Sequence, residues 1–473
     1  MGPERGRNPA GVSFQSKRPG ERHEPHAPPD PTLRSCTADA TLPPMDRSLR
    51  SVLVGTFTLR FSTGLTGALL GYYLAELPRH GGPAVDPLII GLFAATFFSA
   101  ELLLSPPFGL LSDRLGHHRV MEFGPIFGAV AVVLTYATTN LAVLGFTRWL
   151  EGSSTAASVP SILGYIAMVT AGDELLRGRA SARFEGATLA GLGGGLVAAG
   201  FAWEVFGRAA FLLNAGLYGV SWAIYRFGVA EPAGEAATLR APHSGWRRYV
   251  TLLGSAHVWL LAPTWIALNA AIGLWTTHSI FQLVSKPRPG FEDQLLMGRL
   301  DPVGISLGLA IGLVAFFGGL IFWGERFKTT RRTTIIFYGI VGGVVVGAAG
   351  AAVNHSGGTA ILLVGGALGL LAGLFVLAGA TPAALGLLAD ISEAFPADRG
   401  AIMGLYSVFL AVGQIGGALV GGFAAERAGI DGLFGATVGL LVVALVPLAR
   451  LRSLEHVVGA ARPKDRAELA EEP

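Results

Sequence analysis

Between Leu49 and Arg450 the sequence is a succession of apolar runs separated by short charged or Gly/Pro-rich interruptions. Each run is close to the roughly 20 residues that a helix needs to cross about 30 Å of hydrocarbon. Inside lipid a backbone amide finds no water partner, so a spanning run is restricted to a helix that satisfies its own hydrogen bonds. The runs fall near residues 50–75, 88–110, 119–139, 141–170, 184–205, 209–228, 252–283, 303–323, 334–353, 359–388, 401–424 and 432–450. They predict an all-α membrane protein of 12 transmembrane helices. Composition agrees, because 51% apolar residues, 14% charged residues, 67 glycines and a mean hydropathy of +0.53 lie outside the usual soluble range.

The same composition excludes several functions. The net charge of +3 is small, and the basic residues sit in short loops beside apolar spans, with no basic stripe interleaved with aromatics. No nucleic-acid partner is expected. A single cysteine, Cys36, rules out an intrachain disulfide and a cysteine-based metal site. There is no HExxH spacing, and the Gly-rich runs lack a following Gly-Lys-Ser/Thr, so no phosphate-cradling loop exists. The expectation is therefore no metal, no cofactor, no nucleotide-driven cycle and no enzyme.

Lys and Arg distribute unevenly between alternate loops. Loops after even-numbered spans hold fourteen, among them Arg114, Arg119, Arg177 and Arg332, against six in odd-numbered loops, such as Arg79 and Lys286. The excess predicts cytoplasmic even loops and cytoplasmic N and C termini. Residues 1–46, rich in Pro, Arg, Ser and Gly, are expected to form a disordered cytoplasmic tail without the apolar core of a secretory signal. Met45, just ahead of the first span, stands where a start residue would suit the membrane core. Residues 47–228 then form an N-terminal six-helix bundle, and 229–250, with Pro232, Gly234, Pro242 and Gly245, a cytoplasmic linker. Residues 251–450 form a C-terminal six-helix bundle, followed by a tail over 451–473. An offset of 222 residues aligns P-S-I-L-G-Y-I-A from Pro160 with P-A-A-L-G-L-L-A from Pro382, and the segment from Gly191 with that from Gly413. The two halves therefore read as a duplication.

The segment from Gly109 to Arg119, G-L-L-S-D-R-L-G-H-H-R, reads as a tight charged loop between the second and third spans. It resembles the signature loop of the major facilitator superfamily of secondary transporters. Gly109, Asp113, Arg114, Gly116 and Arg119 match it, while His117 and His118 stand where the family prefers Arg or Lys. The resemblance implies two bundles related by an axis along the membrane normal, rocking around a central cavity. It also implies a gating role for the five matching residues, with a charge relay to Glu122 and Glu185.

Four charges fall inside the predicted spans of the first half. In the fourth span, L-G-F-T-R-W-L-E-G-S-S-T-A places Arg148, Glu151 and Thr155 along one helical face. Arg148 and Gly152 also fit a motif best known in drug:proton antiporters of the family, with Glu151 replacing its glutamine. Glu101 lies near the middle of the second span and Arg60 midway through the first. Such charges cost several kcal/mol in lipid unless they pair or meet water, so they are expected to line a cavity. Glu101 is the leading proton carrier and Glu151 the second, and the resemblance implies that Arg148 tunes the acidity of a neighbouring carboxyl. Arg60 either neutralises Glu101 or holds an anionic substrate. The fifth span's Gly191, Gly195 and Ala199 and the eleventh's Gly413, Gly417 and Gly421 are expected to allow close helix packing. In the second half Asn269, Trp275, His278, Tyr406 and Gln414 are the candidate substrate-cavity residues.

Together these expectations describe a proton-coupled transporter in the cell (inner) membrane of a prokaryote, acting as a monomer on a small-molecule substrate. Efflux of a small organic molecule or drug by antiport is the leading reading. Proton symport of an organic anion is the alternative, and an assembly factor or lipid flippase of the same fold is the third.

Overall fold

The computed structural model describes residues 47–171, 173–230, 258–327, 329–393 and 399–453. The sequence-derived tails, apart from residues 451–453, and the linker beyond residue 230 lie outside them. Among the described residues the regular structure is helical throughout. Helices α1 (Arg47–Glu76), α2 (Pro87–Leu115), α3 (His117–Met121), α4 (Phe123–Ala137), α5 (Leu141–Val169), α6 (Glu174–Phe206) and α7 (Ala210–Gly228) form the first part. Helices α8 (Val258–Val284), α9 (Pro302–Arg326), α10 (Arg332–Asn354), α11 (Ala360–Leu377), α12 (Ala380–Glu393) and α13 (Arg399–Ser453) form the second.

Local chemistry sets the ends of these helices. Asn140 caps α5 by accepting from Ala142 N at 2.9 Å and Val143 N at 3.3 Å, and Asp301 caps α9 by accepting from Gly304 N at 3.0 Å. Helix α6 begins at its Asp173 cap, ten residues ahead of the apolar run, because hydropathy marks where lipid begins rather than where the helix does. The last run is continuous in α13 except at Ala428 and Gly429, where Gly429 takes φ +59° and the chain reverses. Gln294 seals that break, donating to Ala428 O at 2.9 Å and accepting from Ile430 N at 2.8 Å.

The stretch read from sequence as a charged loop is corrected. Helix α2 continues through Leu115, and the junction with α3 is Gly116 alone, at φ +97°. Only glycine adopts that angle without strain. Gly116→Ala is expected to lower stability by roughly 1–2 kcal/mol, measured as a drop in detergent melting temperature, with no effect from an alanine at the neighbouring exposed Leu115.

Among the described residues, eight helical stretches are long and apolar enough to cross a membrane. Helices α5 and α8 are not among them, and the reason is their polar content: Arg148, Glu151 and Ser153 on the one, Thr264, Asn269 and His278 on the other. Both sit inside, whereas α11 turns most of its side chains outward, with Ile361, Val364 and Leu368 exposed.

Two large apolar clusters organise the packing. One is drawn from residues 49–229 with Ile280, Phe281 and Ile305; the other comes from residues 261–451. Glycines set the closest crossings. A methyl group on Gly191 of α6 would lie 2.6 Å from the Phe57 carbonyl oxygen and 2.9 Å from Arg60 Cβ on α1. One on Gly413 of α13 would lie 2.6 Å from the Ile266 carbonyl oxygen and 2.6 Å from Asn269 Cβ on α8. The 222-residue offset that joins Gly191 to Gly413 also joins Gly195 to Gly417, which seat on Phe61 and Leu65 and on Ala270. At equivalent crossings, Asn269 holds the place of Arg60.

The two sets of helices meet tightly at one end. A methyl on Gly91 of α2 would lie 2.5 Å from the Ala418 carbonyl oxygen on α13, and one on Gly422 3.0 Å from Leu88 Cα. Gly200 of α6 packs on Pro302 of α9 and donates its N–H to Ser306 Oγ at 3.0 Å. Near that end Asn354 ties three segments, accepting from Leu296 N at 3.0 Å, donating to Asp431 at 2.8 Å and accepting from Leu295 N through its carbonyl at 2.8 Å. Asn354→Ala is expected to lose two of these and about 2–3 kcal/mol, read as a lower melting temperature.

Candidate functional site

The charged residues expected at mid-depth come from three adjoining helices. Glycine again makes this approach possible: Gly152 of α5 sits against Phe97 and Ala100 of α2, where a methyl would fall 2.8 Å from Ala100 Cβ. Arg148 and Glu151, one turn apart on α5, form an ion pair. Glu151 is 3% exposed, and the Arg148 guanidinium lies 4.8 Å above the Phe97 ring. A buried charge is tolerable here because its partner is adjacent and the ring supplies a second favourable surface. Arg148→Ala would leave Glu151 buried without its counter-charge, at a cost of about 3–5 kcal/mol; a double Arg148→Ala, Glu151→Gln variant should recover most of the melting temperature.

Arg60 on α1 and Glu101 on α2 are the other two opposite charges of the set. Both are half-buried, and the Arg60 charge acts on Glu101. The same guanidinium acts on Glu185 of α6. Glu185, expected at the signature segment as part of a relay, is exposed on α6. This arrangement can hold a mobile proton: a carboxyl that water can reach, opposite a fixed cation, exchanges charge at the lowest cost in an otherwise apolar setting.

Sequence reading missed Tyr218 on α7. Its ring is 1% exposed and wedges against Gly128 of α4, where a methyl would lie 2.7 Å from a ring carbon. The usable signal was its position one turn after Asn214, which donates to Ser62 O at 3.0 Å and Thr66 Oγ1 at 2.7 Å. A tyrosine in an apolar helix is otherwise indistinguishable from core.

At the signature segment Asp113, Arg114 and Arg119 are exposed and Gly109 packs near Pro160. His117 meets Ser112 Oγ at 3.1 Å. His118 is buried, with Nε2 2.9 Å from Tyr225 O and 3.3 Å from Glu122. Glu122 therefore pairs locally with His118.

The second-half candidates divide. Asn269 and Gln414 are neighbours at the α8–α13 crossing; Asn269 donates to Trp265 O at 2.9 Å, and the buried Gln414 Oε1 points at Gly273. Trp275 and His278 are turned into packing instead. The Trp275 indole donates to Thr437 at 2.7 Å and its ring lies 4.9 Å from that of Phe434. His278 is fully buried and donates from Nε2 to Ala418 O at 2.8 Å. Each makes one hydrogen bond to α13, because helical periodicity carries them off the Asn269 face. The side chain of Tyr406 lies outside the described residues. Among the described residues no group of three or more His, Cys, Asp or Glu is placed to hold a metal ion.

Comparison with known proteins gives a consistent result. A family model described as Major Facilitator Superfamily matches residues 52–390. Quinolone resistance protein NorA of Staphylococcus aureus (strain MRSA252) is 24% identical over 309 residues, 64% of this chain and 73% of its own length. Multidrug resistance protein MdtG of Escherichia coli O1:K1 / APEC is 30% identical over 113 residues, 24% of this chain and 27% of its own. Among solved structures, nucleoside transporter NupG superposes with a TM-score of 0.66 at 14% identity, covering 86% of this chain and 99% of that one.

Proposed function

The chain belongs to the Major Facilitator Superfamily, and from that premise, a multi-pass membrane transporter rather than an enzyme, we propose that it moves a small organic molecule out of the cell in exchange for protons. The observation that carries this reading is the half-buried Glu101 opposite Arg60, next to the Arg148–Glu151 pair. Glu101 takes up and releases the proton; Arg60 supplies its counter-charge when it is ionised. The Arg148–Glu151 pair fixes the electrostatic field of the cavity, with Asn269 and Gln414 forming the wall on the opposite bundle. Efflux is favoured over import by the resistance proteins among the relatives.

Twelve helices in two six-helix bundles, 47–228 and 251–450, with both termini cytoplasmic, accommodate the described helices and the loop charges. The end at which Gly91, Gly200 and Gly422 close the two bundles is then the outer one, and the cavity opens to the cytoplasm. The exposed Asp113, Arg114 and Arg119, hinged at Gly116, lie on the inner face, where they latch the opposite state. The transporter works as a monomer.

The test is transport of a compound panel in proteoliposomes with an imposed pH gradient. Antiport gives substrate movement against the proton flux. Movement with the flux, limited to anions, replaces efflux by symport of an organic anion held by Arg60 and Arg148. Transport indifferent to the gradient removes proton coupling altogether.

A further inference from the structure

We propose that His278 is a second protonation site of the transport cycle, shielded while the glycine-sealed end is shut and reached by water when the two sets of helices part there. The inference rests on the alternating-access reading for its motion and on packing for its evidence. His278 of α8 is fully buried, and it stands at the seam between the two sets of helices. Its Nε2 donates to Ala418 O at 2.8 Å, and that carbonyl oxygen is the atom on which Gly91 of α2 seats. A methyl on Gly91 would lie 2.5 Å from Ala418 O and 3.6 Å from His278 Nε2, and one on Gly421 of α13 would lie 2.7 Å from His278 Cδ2. Three helices converge on one imidazole, so separating α2 from α13 removes part of its cover.

The bond at Nε2 fixes the tautomer. A carbonyl oxygen only accepts, so Nε2 carries the proton and Nδ1 a lone pair. Nδ1 is buried, and among the described residues it has no hydrogen-bond partner. A second proton would place there an N–H without an acceptor and a charge without a counter-charge. The surrounding stretches supply none: residues 87–100 of α2 and 411–425 of α13 hold no Asp, Glu, Lys, Arg or His, and 258–284 of α8 hold His278 alone. Gly71 of α1 packs beside Ile280, and the phenols that follow it bond elsewhere, Tyr73 to Thr138 O at 2.6 Å and Tyr72 to Pro302 O at 3.5 Å. Outside those stretches Asp86, Glu426 and Arg427 are exposed, and Arg288 donates to Ala425 O at 2.6 Å. The shut end therefore accepts the neutral ring, whereas the parted end lets water reach Nδ1 and a proton bind. Acid favours the state that binds more protons, so a lower pH favours opening of this end.

The test reads the seam on the full chain in lipid nanodiscs, with Cys36 replaced by serine and nitroxides at Leu92→Cys and Val420→Cys. Between pH 7.5 and 5.5 the open-to-shut ratio is expected to rise about tenfold, the factor by which proton binding to a water-exposed imidazole of pKa about 6.5 weights the open state. His278→Gln retains an N–H donor but cannot titrate, and should hold one ratio at both pH values. A parent without a pH response, or a His278→Gln protein that keeps the parent's response, overturns the proposal. A second measurement leaves the imidazole in place: modification by diethyl pyrocarbonate, located by peptide mass spectrometry. In Gly200→Val, expected to hold this end apart, His278 should be modified to the level of the exposed His355. Continued shielding of His278 in that variant, with the nitroxide distance lengthened, also overturns the proposal. Glu101→Gln separates the two readings. If it transports normally, coupling through that carboxyl fails while the seam response of His278 stands; a response lost in Glu101→Gln and kept in His278→Gln belongs to Glu101 and sinks the assignment to His278.

Discussion

Proteoliposomes carrying Glu101→Gln lose gradient-driven substrate movement by about 100-fold or more, while substrate exchange at equal pH on both sides survives. Glutamine keeps the volume and one acceptor of the carboxyl but cannot cycle a proton, so Arg60 faces a permanently neutral partner. The variant resembles one fixed point of the cycle, the protonated one. Exchange needs only rocking around an occupied cavity, whereas net coupled flux needs the return of an unloaded carrier whose charge state differs. Retention of binding, measured by quenching of intrinsic tryptophan, separates a coupling defect from misfolding. Normal gradient-driven flux in this variant would remove Glu101 from the mechanism and leave Glu151 as the carboxyl to examine. The prediction has a structural control, since Glu151→Gln should reduce stability more than Glu101→Gln does: Glu151 is buried against Arg148, while Glu101 is only half-buried.

Gly200→Val is expected to hold the glycine-sealed end of the bundles apart and slow transport by about tenfold or more. The first carbon of any side chain at this position would fall 2.7 Å from the Pro302 carbonyl carbon. Because Pro302 opens α9 and its backbone is fixed by the ring and the Asp301 cap, the obstruction cannot be relieved by rotating a side chain. The bundles must separate there, and the Gly200–Ser306 hydrogen bond goes with them. Valine is no worse a helix former than glycine, so α6 itself should remain intact. With Cys36, the chain's single cysteine, replaced by serine, nitroxides at Leu92→Cys and Val420→Cys report the gap directly. These positions are exposed on α2 and α13, beside Gly91 and Gly422. The distance distribution should lengthen in Gly200→Val and stay unchanged in Gly219→Val, where a methyl meets open space. An unaltered distance with normal transport would mean that this end does not close as a unit.

Much of the site was legible because charge in lipid is expensive. Arg60, Glu101, Arg148 and Glu151 could be picked out as a set before any coordinates, since none of them is tolerable alone at mid-span. Their pairing was partly readable as well, as spacing of three on one helix places Arg148 beside Glu151. For Arg60 the sequence left two uses open, neutralising Glu101 or holding an anionic substrate, because spacing along one helix carries no information about another. Tyr218 was illegible for the opposite reason: a phenol costs little in an apolar helix and so leaves no mark in a hydropathy profile. Trp275 and His278, expected in the cavity, each make a hydrogen bond to α13, which spacing along one helix could not announce.

The number of apolar runs, their approximate lengths, the uneven charge of their loops and the 222-residue repeat belong to the sequence itself. All four follow from local or additive quantities, transfer cost per residue and charge per loop, which are summed along a chain without knowing its neighbours. Tertiary structure alone decided that Gly116 is the whole of the junction after α2, and that Asn269 sits at the crossing equivalent to Arg60. It also decided that glycines close one end of the two bundles. Those depend on how near two backbones come, a distance fixed by the simultaneous absence of side chains on both helices and visible only when the helices are packed.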